Sequence, residues 1–201
     1  MSTLVSRVME NTLAYRVWQA PFAGRKLAPI LRCGDIGRAR RVLDVGCGPG
    51  TNTPRFAHAD YVGIDVNAAY IESARRRHAR QFVVADVTRY EVPAGERFDF
   101  ILVNSLLHHL RSDDVLNLLR HLATLLSEDG HVHILDLVLP SQPSLARLLA
   151  LWDRGDYPRP LGEWRALFGD AFDAILFEPY PLGALWTTLW SMVYFKGRAR
   201  A

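Results

Sequence analysis

The run Arg41-Val-Leu-Asp-Val-Gly-Cys-Gly-Pro-Gly50 constrains this chain more than any other stretch. A β-type hydrophobic segment ends at Asp44 and Val45, and the chain then turns through Gly46, Gly48 and Gly50. Glycine at alternate positions permits positive φ and lets a ligand come close to the backbone. Thr51-Asn-Thr53 can open a helix, so the loop joins a parallel strand to a helix N-terminus, a geometry suited to a nucleotide-type ligand. Asp44 narrows the ligand further. A carboxylate two residues before the first glycine repels a pyrophosphate and attracts a cation.

From residue 40 onward, strand-like and helix-like patterns alternate. The spacing predicts strands at 42–45, 61–64, 81–84, 98–103 and 131–137, with helices at 53–58, 68–79 and 113–126 between them. Beyond Pro140 it predicts helices at 144–152 and 161–168, then two closing strands at 172–177 and 188–195. The connection through Pro179, Pro181 and Gly183 suits an antiparallel hairpin. The expected fold is α/β: a doubly wound, mostly parallel seven-stranded sheet with an antiparallel last strand and helices on both faces. The expected single domain divides into a helical cap (1–39), a core (40–140), an inserted segment with its helix (141–170) and a terminal hairpin (171–196).

The 201 residues suit one domain with a sizeable core. A net charge of +3 is too small to imply a nucleic-acid partner, and the densest basic run, Arg75-Arg-Arg-His78, falls at a predicted helix end, where cations are favoured. Cys33 and Cys47 form neither a metal pattern nor a disulfide framework. His131 and His133 alternate along a strand without a third ligand at a credible spacing, so no metal site is expected. No apolar run reaches membrane-spanning length, and the N-terminus shows no signal-peptide core, which leads to the expectation of a cytoplasmic protein.

Val42-Leu-Asp-Val-Gly-Cys-Gly-Pro-Gly50 resembles motif I of the class I S-adenosylmethionine-dependent methyltransferases. The resemblance extends from about Arg40 to Lys196, and an antiparallel last strand is a mark of that fold. It implies S-adenosylmethionine as cofactor and S-adenosylhomocysteine as product. Gly46, Cys47, Gly48 and Gly50 would wrap the methionine part, with Asp44 near its ammonium. Asp65, nineteen residues beyond Gly46, would accept the ribose hydroxyls, and Val66 would flank the adenine. Asp86 and the Val87 backbone would meet the adenine edge; a capping role for Asp86 is the alternative. Asn104 would pass beneath the methionine part.

Methyl transfer asks mainly for alignment, and acceptors that must lose a proton also need a base. His108 and His109, at the end of the fourth strand, are the candidates, with a structural role as the rival reading. Tyr15, Trp18, Asp136 and Tyr157 are expected on the acceptor side. Asn104-Ser-Leu-Leu departs from the Asn/Asp-Pro-Pro-Tyr motif of enzymes that methylate base or glutamine amino groups. With no basic-aromatic stacking platform present, a small-molecule acceptor is favoured. The tryptophans, Trp152 and Trp164 among them, make an apolar one the first expectation. The alternatives are an RNA methyltransferase, a protein that binds the cofactor without methylating, and a nicotinamide oxidoreductase. The early third glycine and Asp44 oppose the last of these. Oligomeric state is not legible.

Overall fold

The computed structural model describes residues 23–92, 95–153, 156–184 and 187–200; Tyr15, Trp18 and Trp186 lie outside them. The strands are β1 (Arg41–Val45), β2 (Asp60–Asp65), β3 (Gln81–Val84), β4 (Phe98–Asn104), β5 (Leu126–Val138), β6 (Phe172–Ala184) and β7 (Thr187–Ala199). They form one sheet in the order β3-β2-β1-β4-β5-β7-β6. Every neighbour pair is parallel except those made by β7, which lies antiparallel between β5 and β6. The order reverses between β1 and β4, so the loops after these strands open a crevice at the carboxyl edge of the sheet.

The helices are α1 (Ala23–Lys26), α2 (Ala28–Cys33), α3 (Ala68–Arg77), α4 (Ser112–Leu125), α5 (Leu145–Trp152) and α6 (Leu161–Ala171). Because strand side chains alternate, the sheet supports two cores. On one face Leu43, Val45, Ile101 and Ile134 pack with Leu118 and Leu122 of α4 and Trp164 and Phe168 of α6. On the other, Val42, Tyr61 and Phe100 pack with Ile30 of α2 and Ile71 and Ala74 of α3. Strands covered on both sides read as near-continuous apolar runs, as β1 and β4 do.

Local chemistry sets the helix ends. The Asn67 side chain accepts hydrogen bonds from the amides of Ala69 and Tyr70 and starts α3, which ends in Arg75, Arg76 and Arg77, where cations complement the helix dipole. Ser144 caps α5 by accepting from the Arg147 amide. Two expectations need correction. The 53–58 helix is a single 3-10 turn, Thr53–Phe56, entered through Pro54. Pro179 and Pro181 do not lie in a connecting loop: each closing strand is longer than its apolar run, and both prolines sit inside β6. β6 is an edge strand, where a missing backbone N–H disrupts no ladder.

Candidate active site

The loop after β1 takes the course its glycines predict. Gly46, Gly48 and Gly50 have φ of 68°, 53° and 78°. The amides of Gly46 and Cys47 donate to the Ile64 carbonyl at 2.8 and 3.0 Å, pinning the loop to the end of β2. This approach depends on Gly63, since a Cβ there would stand 2.8 Å from the Phe82 ring and 2.9 Å from Cys47 Sγ. Burial and the carboxylates of Asp44 and Asp65 push the Cys47 thiol up, so it stays protonated.

Asp44 is 1% exposed beneath the loop. Its Oδ2 accepts the Tyr61 hydroxyl at 2.6 Å. Burial pushes its pKa up to about 7, opposed by Tyr61 and the nearby amide of Asn52. Its Oδ1 and the Asn104 Oδ1 are buried and have no hydrogen-bond partner among the described residues. Buried acceptors left in that condition favour a ligand that donates to them. Asp65, ending β2, accepts the Gly48 amide at 2.9 Å and the Asn67 amide at 2.8 Å, which orients its carboxylate at the crevice. Val66 and Val84 expose apolar surface there, at 71% and 46%. Asp86 uses Oδ1 to accept the Thr88 amide and hydroxyl, so the capping geometry is present, and those bonds lower its pKa. The Val87 side chain packs in the core. Ser105 follows Asn104 with φ 53°, a left-handed conformation unusual outside glycine, and the Leu106 side chain turns over Gly46.

On the acceptor side, the turn Leu107–His109 follows β4. His108 is 2% exposed, and its Nδ1 donates to Asp136 Oδ1 at 2.6 Å. Burial alone would lower its pKa, but Asp136, with Asp153 beyond it, outweighs burial and raises it to about 9. His109 is exposed beside it, with ring centroids 4.2 Å apart. Asp136 does not face an acceptor as expected. It is wholly buried, and its oxygens are taken by His108 and by the amides of Leu107 and Leu137. Tyr157 is 39% exposed and its amide donates to the His108 carbonyl. Of the tryptophans expected on the acceptor side, Trp164 is core, donating to the Leu137 carbonyl, and Trp152 is 74% exposed, while Trp18 and Trp186 lie outside the described residues.

Three residues of this edge were not foreseen from sequence: Tyr61, Asn52 and Arg159. Arg159, 3% exposed, donates to the carbonyls of Leu107, Leu110 and Tyr157. Its only local signal is the i,i+4 spacing to Glu163, which it meets at 3.0 Å.

A family model described as a methyltransferase domain matches residues 42–130. Trans-aconitate 2-methyltransferase of Paracidovorax citrulli is 40% identical over 77 residues, 36% of this chain and 30% of that protein. The protein of the same name in Methylobacterium radiotolerans is 31% identical over 153 residues, 73% of this chain and 54% of its own length. The chain thus spans about half or less of the length of these relatives. The crystal structure of the N-methyltransferase NodS from Bradyrhizobium japonicum, in complex with S-adenosylhomocysteine, superposes with a TM-score of 0.71 at 17% identity, covering 90% of this chain and 89% of that one, which shows the shared fold. With the reversed sheet, the glycine loop and these matches together, the chain belongs to the class I S-adenosylmethionine-dependent methyltransferases, whose cofactor is S-adenosylmethionine.

Proposed function

We propose that the protein transfers a methyl group from S-adenosylmethionine to a small-molecule acceptor by direct displacement. The observation that carries this reading is the pair of orphaned buried oxygens, Asp44 Oδ1 and Asn104 Oδ1, at the crevice formed where the strand order reverses. They suit the donor-rich methionine end of the cofactor. Gly46, Cys47, Gly48 and Gly50 would hold that end through the backbone, Asp65 the ribose, Val66 and Val84 the adenine faces, and Asp86 with the Val87 amide the adenine edge. When bound, the cofactor supplies an electrophilic sulfonium methyl, so the protein's share is to align the acceptor and exclude water.

The carboxylates around His108 suit it to remain an imidazolium near neutral pH. Where an acceptor must lose a proton, His109 is the more exposed of the two candidate bases. The small-molecule reading is supported by the relatives named trans-aconitate methyltransferases. It is also supported by the basic run of α3, whose arginines are engaged within the chain: Arg75 on the Phe82 carbonyl, Arg76 on Glu72 and Arg77 on the Ser73 and Pro49 carbonyls.

Calorimetric titration with S-adenosylhomocysteine tests the cofactor site. Asp65→Ala should weaken binding by about 1–3 kcal/mol, as loss of a charged hydrogen bond does. Absence of binding by folded wild-type protein would sink the reading.

A further inference from the structure

Asp44 uses its two carboxylate oxygens differently. Oδ2 accepts the Tyr61 hydroxyl at 2.6 Å, while Oδ1 is buried with no hydrogen-bond partner among the described residues. The sheet explains how a residue of the next strand makes this bond. In the parallel pair, Tyr61 stands beside Val42 and Gly63 stands beside Asp44. Strand side chains alternate, so these four positions share one face. Gly63 leaves the place opposite Asp44 free of a side chain, and the phenol reaches the carboxylate diagonally across it. The ring is held there: Tyr61 is 1% exposed and packs against Phe56 and Phe82, with centroids 6.0 and 5.8 Å away.

Burial and the Asp44 carboxylate push the Tyr61 phenol up, so it keeps its hydrogen and remains the donor. With Oδ2 committed as an acceptor, a proton taken up by Asp44 is directed to Oδ1. The groups that act on Asp44 are Tyr61 and Asp65 of β2, the Cys47 thiol of the loop and Asn52 before the 3-10 turn. None of them is a cation, and the β4 residue beside Asp44 is Leu102. Asn52 favours the carboxylate by proximity without bonding Oδ1. An anion is costly in such a setting, and burial accordingly raises the Asp44 pKa to about 7. A cationic N–H donor arriving at Oδ1 makes the proton unnecessary.

We propose that Tyr61 is a positioning residue for the cofactor: by occupying Oδ2 it aims Asp44 Oδ1 at the methionine end, where the ammonium group takes the place of a proton. The inference rests on the methyltransferase reading for the identity of the ligand. In the free protein Asp44 holds a proton below about pH 7 and yields it on binding, so affinity rises with pH and levels off above that point. Without the Tyr61 hydroxyl the carboxylate loses a donor. The proton is then held more tightly, and the ligand must displace it at a higher cost.

The experiment is calorimetric titration of the full chain at pH 6 and pH 7, in two buffers of different ionisation heat, which counts the protons released. The probes are S-adenosylhomocysteine and 5′-methylthioadenosine, which lacks the amino-acid end. Wild type should release about one proton per S-adenosylhomocysteine at pH 6 and about half a proton at pH 7, and none with 5′-methylthioadenosine. Tyr61→Phe keeps the ring and its packing. It should release about one proton at both pH values and bind S-adenosylhomocysteine about tenfold more weakly at pH 7, with 5′-methylthioadenosine unaffected. A role in packing alone would weaken both probes alike and leave the proton count as in wild type. No proton released from wild type at pH 6, or an unchanged count in Tyr61→Phe at pH 7, would overturn the inference. Failure of both probes to bind would overturn the methyltransferase reading and this inference with it.

Discussion

Two histidines of this molecule are equally buried, yet one favours the cation and the other the neutral ring. His108 is 2% exposed and His133 is inaccessible, and each has an aspartate nearby. His108 donates to Asp136 at 2.6 Å and is raised to about 9. His133 shares a hydrogen bond with the Tyr194 hydroxyl, stands 3.7 Å from Asp35, and is pushed down by burial to about 3. The Asp35 carboxylate is already paired with Lys196 Nζ at 2.7 Å. Burial favours the neutral ring in both places. Only a carboxylate in direct contact, and not spent on another cation, reverses it. His133 accordingly stacks on Phe100 with centroids 4.0 Å apart, as an aromatic core residue does.

The comparison is broken most severely by Asp136→Asn. It strips His108 of its counter-charge and should cost about 3–5 kcal/mol of stability, as removing one partner of a buried pair does. Denaturant unfolding would show this, with the His108 titration falling below its ordinary value; a loss under about 1 kcal/mol would mean that the pair is not formed.

A smaller effect separates the two rings by pH. The folded pKa of His108 lies above the unfolded value of 6.5, so its contribution is complete below pH 6.5 and is lost as pH rises through about 9, some ~3 kcal/mol in all. His133 has the opposite sign, with its contribution complete above pH 6.5 and lost as pH falls toward 3. Unfolding midpoints between pH 6 and 10 should therefore decline on the alkaline side in wild type. The His108 part of that decline should vanish in Asp136→Asn.

The mildest change sharpens the contrast from the other end. Lys196→Met removes a cation that lowers the His133 pKa and frees Asp35 to raise it, so that pKa should rise, at a stability change of about 1 kcal/mol or less. NMR titration of the His133 ring checks this, and an unmoved midpoint would show that Asp35 is too distant to matter.

The same contrast marks what can be read in the sequence. Gly46, Gly48 and Gly50 announce their loop because backbone conformation is encoded at the residue itself. The βα alternation is legible because burial on both faces leaves continuous apolar runs. Asp136 and His133 look alike in sequence, each a polar residue in the β5 run, and nothing local separates the carboxyl edge of the sheet from the core. Their difference lies in partners 28 and 61 residues away, His108 and Tyr194. The contacts of Arg159 were invisible for the same reason. Tyr61 read as a strand residue, although its hydroxyl reaches Asp44 on the neighbouring strand. The span of β6 was underread because prolines signal turns in most contexts, and only its place at the sheet edge makes them admissible.

That edge carries a consequence for the protein in company. β6 runs 13 residues along the open side of the sheet and exposes Ile175 and Leu176, the kind of strand that a second molecule could extend. Pro179 and Pro181 leave it without an N–H at two alternate positions. An incoming strand would meet carbonyls there with no donors between them, and its ladder could not propagate. The two imino acids thus break the run of donors along half of this edge.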